Sequence, residues 1–162
     1  PIAGVIYIPC KKTVYFGNGE QGAFKIEDIE YDDFYEFDYE LMQSSDRKLP
    51  LVDFERPFTA VGSRSHMSKE TEDYINQLKD KHNNLEMISV GSSIKQCMIA
   101  EGKADVYPRF GPTMEWDTAA GHAIVNASGG CITKIDGSPL LYNKENLLNP
   151  YFIVKGNLMD CF

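Results

Sequence analysis

No run of 18 apolar residues occurs in this 162-residue chain, so a membrane-spanning helix is not expected. The N-terminus has none of the basic, apolar and small-residue regions of a secretory signal, and a cytoplasmic location is the expectation. Cys10, Cys97, Cys131 and Cys161 make no CxxC pair and neighbour no histidine-rich segment. That argues against zinc and thioredoxin-like sites and for reduced thiols. No internal repeat and no low-complexity tract is present. Positive charge is scarce: the net charge is -8, and Glu27, Asp28, Glu30, Asp32, Asp33, Glu36, Asp38 and Glu40 follow one another with no base between them. Nonspecific nucleic-acid binding is therefore not expected.

What is present is enough for one core. With 43% hydrophobic and 25% charged residues, the chain suits a compact unit and is short for two comfortable domains. Its pattern nevertheless changes near Leu49-Pro50, and residues 1–50 and 51–162 read as different regions. Before the change, Ile2 to Ile8, Thr13 to Phe16 and Ala23 to Ile26 are short strands, with a turn at Gly17-Asn18-Gly19. The acidic stretch 27–40 interleaves aromatic residues and reads as a solvated surface loop, with cation binding the alternative. The chain enters a strand directly after Pro1, which reads as a cut through a fold.

After the change, strands alternate with helices. Phe58 to Val61 is a buried strand. Ser68 caps a helix that carries Glu70 and Glu72 in its first turn, packs through Tyr74, Ile75 and Leu78, and ends at His82-Asn83-Asn84. Leu85 to Val90 is the next strand, followed by a helix with Ile94, Cys97 and Met98 inside and Gly102 at its close. Asp105 to Tyr107 is a third strand. Ala119, Ala120, Ala123, Ile124 and Ala127 form a close-packing helix face, stopped by Gly129-Gly130. Cys131 to Thr133 and Tyr151 to Lys155 are closing strands, with a hairpin turn at Asp136-Gly137. The fold expectation is a layered α/β/α domain with a mixed, partly parallel sheet, preceded by a few antiparallel strands.

In such a sheet, ligands sit where strand ends meet helix starts, because free N–H groups and the helix dipole favour anions there. Three junctions qualify. Gly62-Ser63-Arg64-Ser65-His66 has hydroxyls, a guanidinium and an imidazole suited to a phosphate and a flat ring; a capped loop is the plainer reading. At Gly91-Ser92-Ser93-Ile94-Lys95, Ser92 and Lys95 can face one anion, or the serine can cap a helix beside a solvated lysine. At Glu115-Trp116-Asp117-Thr118, Asp117 is a helix N-cap or a metal ligand. Arg109 suits a second phosphate or a surface ion pair, and His82 and His122 read as structural.

The segment Trp116-Asp117-Thr118-Ala119-Ala120-Gly121-His122-Ala123-Ile124-Val125-Asn126-Ala127-Ser128-Gly129-Gly130 resembles the C-terminal signature of the magnesium-dependent inositol monophosphatase superfamily. Among its members, the CysQ-type 3'(2'),5'-bisphosphate nucleotidases match most closely. The three junctions and the run Ala104 to Asp117 carry that likeness, which extends over essentially the whole chain. The resemblance implies hydrolysis of the 3'-phosphate of adenosine 3',5'-bisphosphate, or of a sulfated relative, to AMP. It implies that Asp117 is the catalytic residue that binds Mg2+, and that His66 stacks near adenine. It also implies that Ser92 and Lys95 hold the nucleotide and that Arg109 contacts its remaining phosphate. In such enzymes magnesium ions activate a water for in-line attack. The family draws its other metal carboxylates from an N-terminal domain through a glutamate and an Asp-Pro-x-Asp-Gly-Thr segment, and neither is present in this sequence. The 1–50 strands then read as remnants of that α+β domain, and the isolated chain is expected to be inactive. An inositol or sugar phosphate phosphatase and a noncatalytic nucleotide-binding module are the competing readings.

Overall fold

The computed structural model describes residues 1–29, 47–51, 55–63 and 67–159. Most of the acidic stretch and the Arg64-Ser65-His66 junction therefore lie outside the described residues.

The apolar and aromatic runs at the start form strands β1 (Ala3–Ile8), β2 (Thr13–Asn18) and β3 (Gly22–Ile26), joined by the short β4 (Lys48–Leu49). Among the described residues they make a four-stranded antiparallel sheet in the order β1-β2-β3-β4. The turn expected at residues 17–19 comes later, because β2 runs through Gly17 and Asn18. Asn18 makes the turn with its side chain: Oδ1 accepts from the backbone N–H of Glu20 and of Gln21, each at 2.9 Å.

The alternating half follows as β5 (Thr59–Gly62), α1 (Lys69–Lys81), β6 (Glu86–Ser89), α2 (Ile94–Glu101), β7 (Val106–Arg109), α3 (Glu115–Ala127), β8 (Cys131–Lys134) and β9 (Phe152–Lys155). Its sheet has the order β6-β5-β7-β9-β8, with β5 parallel to both β6 and β7 and with β9 antiparallel to β7 and β8. The mixed sheet is thus as expected. Ser68 caps α1, its hydroxyl accepting from the Thr71 N–H at 3.3 Å. Gly102 closes α2 at a φ of 83°, where a side chain would be strained.

Period-two alternation places the layers. Ala60, Val106 and Ile153 pack with Ile75 and Leu78 of α1 on one face of the mixed sheet. Their neighbours Val61, Tyr107, Phe152 and Val154 pack on the other face with Ile99 of α2 and Ile124 and Val125 of α3. That second core also takes in Tyr15, Ala23 and Leu49, so α2 and α3 lie between the two sheets. β1 approaches α3 so closely that a Cβ on Gly4 would stand 2.2 Å from the Ala120 carbonyl oxygen.

Two details depart from expectation. α2 buries Lys95, Gln96 and Glu101 as well as Cys97, Ile99 and Ala100, because it has neighbours on most sides, whereas Met98 is only partly covered. Cys131 is disulfide-bonded, so the reduced-thiol expectation fails there; linear spacing does not reveal which sulfurs meet in space. Cys10 and Cys97 are free. No helix among the described residues is long and apolar enough to cross a membrane.

Candidate functional site

The carboxyl ends of β5, β6 and β7 open into one cleft of about 440 Å³, which Ile6 of β1 also lines. Ser63 follows β5, the turn Gly91 to Ser93 leads from β6 into α2, and Arg109 ends β7. Ser92, Lys95, Arg109 and Asp117, each picked out from the sequence, all line this cleft. His66 is not among the described residues.

Ser92 adopts a φ of 52°, a left-handed conformation that turns the chain sharply into the helix. Ser93 is the N-cap of α2 and makes no side-chain capping bond. Lys95 is not the solvated lysine of the plainer reading: it is 5% exposed. Its ammonium donates to the Ser92 carbonyl at 2.8 Å and lies 5.2 Å from the centre of the Tyr107 ring. Burial of that ring pushes the Tyr107 hydroxyl up to about 12, so the phenol stays neutral. Arg109 donates from Nη2 to the Pro112 carbonyl at 3.0 Å, which shapes the loop into α3, while its buried Nε has no hydrogen-bond partner.

Asp117 is not an N-cap. Met114 is, and Asp117 sits in the first turn of α3, where its Oδ2 accepts from the Met114 N–H at 2.7 Å. The segment 141–149 holds this turn in place. The Asn149 side-chain amide donates to the Met114 carbonyl at 2.8 Å and to Thr118 Oγ1 at 3.1 Å. Glu115 accepts from the Lys144 ammonium and from the Asn143 N–H at 2.7 Å, contacts that hold its carboxyl below the usual carboxylate range. His122 faces Tyr142, Nδ1 to hydroxyl 2.9 Å, and burial pulls it down to about 4. It is a neutral packing residue, in keeping with the structural reading.

Sequence reasoning gave no role to Gln96 or to Trp116. Gln96 lines the cleft from α2, and a polar residue between Ile94 and Cys97 was its one signal. Trp116, the only tryptophan in the sequence, lines the cleft mouth and is 67% exposed.

The fold and the cleft define a layered α/β protein that presents basic and hydroxyl side chains where strand ends meet helix starts. The chain belongs to the inositol monophosphatase family, whose model matches residues 1–157. It is 41% identical over 155 residues to the 3'(2'),5'-bisphosphate nucleotidase CysQ of Shigella flexneri and 40% identical to that of Escherichia coli K12. Each match covers 95% of this chain and 54% of the relative, so the chain spans about half the length of these relatives. A crystal structure of CysQ from Bacteroides thetaiotaomicron superposes with a TM-score of 0.84 at 51% identity, over 97% of this chain and 58% of the other. Inositol monophosphatase II from Staphylococcus aureus, at a TM-score of 0.65 and 15% identity, shares the fold.

This family membership raises the question of a metal. Among the described residues, no three His, Cys, Asp or Glu side chains come together to hold one. Asp117 offers a single exposed carboxylate, one oxygen of which is already engaged by the Met114 N–H. The described residues do not fit a complete magnesium site, which calls for several oxygen ligands.

Proposed function

We propose that this chain is the nucleotide-holding part of a magnesium-dependent 3'(2'),5'-bisphosphate nucleotidase. The complete protein removes the 3'-phosphate of adenosine 3',5'-bisphosphate, or of its sulfated relative, and leaves AMP. One observation carries the reading. Ser92, Lys95, Arg109 and Asp117 come from three separate segments and line a single cleft, in a chain whose relatives include CysQ nucleotidases at 40–41% identity.

In this reading the Lys95 ammonium and the Arg109 guanidinium offset the charge of the two phosphates, and the α2 N-terminus with Ser92 donates to phosphoryl oxygens. Asp117 contributes one magnesium ligand, and the others come from carboxylates outside this sequence. His66 stacks on the base. Residues 1–50 belong to an α+β domain whose remainder supplies those carboxylates, residues 51–162 are the α/β nucleotide-binding domain, and the protein works in the cytoplasm.

The test is phosphate release from adenosine 3',5'-bisphosphate and from inositol 1-phosphate, with and without magnesium, by this chain and by the complete protein. The complete protein is expected to turn over the nucleotide in preference and only with magnesium, and the 162-residue chain to release none. Preference for the inositol phosphate contradicts the substrate, and magnesium-dependent turnover by the chain alone contradicts the division of labour.

A further inference from the structure

Gln96 is the third residue of α2 and only 2% exposed, yet neither its Oε1 nor its Nε2 has a hydrogen-bond partner. It stands in the wall of the cleft already described, next to Lys95. Two other polar groups of the cleft are satisfied, since Thr118 Oγ1 accepts from Tyr142 and Asn149 and Lys95 donates to the turn before α2, whereas the buried Nε of Arg109 shares the lack of a partner. An unpaired amide in a packed interior is costly, because it has given up water on both its donor and its acceptor sides. A leucine or methionine of similar volume would fill the space without that cost.

Helix α3 makes room for this amide. Gly121 stands opposite, and a Cβ there would come 2.1 Å from Gln96 Oε1 and 2.9 Å from its Cβ. A notch in one helix is thus matched to a side chain that makes no hydrogen bond inside it. The notch accommodates the side chain, and a ligand that enters the cleft and pairs the amide accounts for its lack of partners.

The surroundings define the chemistry of that ligand. Lys95 and Arg109 supply positive charge to the cleft, which suits a phosphate. The amide is neutral, with two protons to donate and an oxygen that accepts. A phosphate oxygen only accepts and would leave Oε1 unmet, whereas a hydroxyl both donates and accepts. We propose that Gln96 is a specificity-determining residue whose amide turns on binding and hydrogen-bonds a sugar hydroxyl beside the bound phosphate. The terminal torsion of glutamine is broad and permits that turn. This inference rests on the nucleotide reading of the cleft and deepens it: in adenosine 3',5'-bisphosphate the free sugar hydroxyl is the 2'-hydroxyl.

The 162-residue chain and its Gln96→Leu and Gln96→Met variants are titrated by calorimetry with adenosine 3',5'-bisphosphate and with its 2'-deoxy counterpart, and each protein is melted without ligand. Wild type is expected to bind the ribonucleotide about tenfold more tightly than the deoxy form, the worth of one well-made hydrogen bond to a buried amide. Both variants are expected to bind the two nucleotides equally, at the deoxy level, and to melt no lower than wild type. A wild-type ratio near one, or a ratio kept in either variant, overturns the assignment. So does a melting temperature lowered by more than about 5 °C in both variants, which would make Gln96 a packing residue. Absence of saturable binding of either nucleotide by wild type overturns the nucleotide reading itself, and this inference with it.

Discussion

Lys95 carries the strongest electrostatic commitment in the cleft, since it is buried at 5% exposure and held by the Ser92 carbonyl. Replacing it with methionine keeps much of its volume and removes the charge. Lys95→Met is expected to weaken binding of adenosine 3',5'-bisphosphate by about 10- to 100-fold, the range of a hydrogen bond to a charged group. Trp116 at the cleft mouth gives a fluorescence signal for that titration. An unchanged dissociation constant would remove Lys95 from the site. The sequence marked Lys95 as a candidate through its place three residues after Ser92 at a helix start, but not its burial, which depends on Tyr107 coming beneath it from β7. Asp117 was legible as an acid at a helix mouth, with a cap and a metal ligand as the two readings, and the structure removes the cap. The true cap, Met114, carries no capping side chain by type, and the groups that tie down the turn come from Asn143, Lys144 and Asn149, far along the chain.

Helix α2 joins the two sheets through a buried ionic cluster as well as through the core. At its last residue, Glu101 Oε2 accepts from the Tyr15 hydroxyl at 2.8 Å, and Oε1 takes Lys25 at 2.8 Å and Lys103 at 2.7 Å. Burial alone would push the Glu101 carboxyl up, but the bonds from Lys103, Lys25 and Tyr15 outweigh it and hold it below its ordinary value. Glu101→Gln leaves Lys25 buried at 8% exposure without its full counter-charge. Urea unfolding at pH 7 is expected to show a loss of about 3 kcal/mol, the low end for breaking a buried pair, because glutamine still accepts. A loss under about 0.5 kcal/mol would show the cluster to be incidental. Strands and helices were readable because each is a local pattern: period two in Val5 to Ile8, and Ser68 with Glu70 and Glu72 at a helix start. The Glu101 cluster was not, because Tyr15, Lys25 and Glu101 meet only when β2 and β3 pack across α2.

At the scale of the molecule, one core and this cluster couple the antiparallel sheet to the mixed sheet, and buried His122 and Glu101 make stability depend on pH. Burial lowers His122 from 6.5 to about 4, so the folded state favours its neutral form. The stability this contributes is fully present above pH 6.5 and is lost as the pH falls from there towards 4. Glu101, also depressed, adds a loss that begins near the ordinary carboxylate value of about 4.3 and continues below it. Urea midpoints of the wild-type chain are therefore expected to fall between pH 7 and pH 4, and His122→Phe is expected to flatten the upper part of that fall. A midpoint constant across this range would contradict the His122 assignment, and one that stayed constant on further acidification below pH 4 would contradict that of Glu101. Function at this scale turns on whether the cleft between the sheets recognises a nucleotide. The most direct measurement is a calorimetric titration of the 162-residue chain with adenosine 3',5'-bisphosphate and, separately, with inositol 1-phosphate. The account expects saturable one-to-one binding of the nucleotide, at least about tenfold tighter than the inositol phosphate, with this preference abolished in an Arg109→Ala, Lys95→Met double variant. Equal affinity for the two ligands, or nucleotide binding that survives in the double variant, would contradict it.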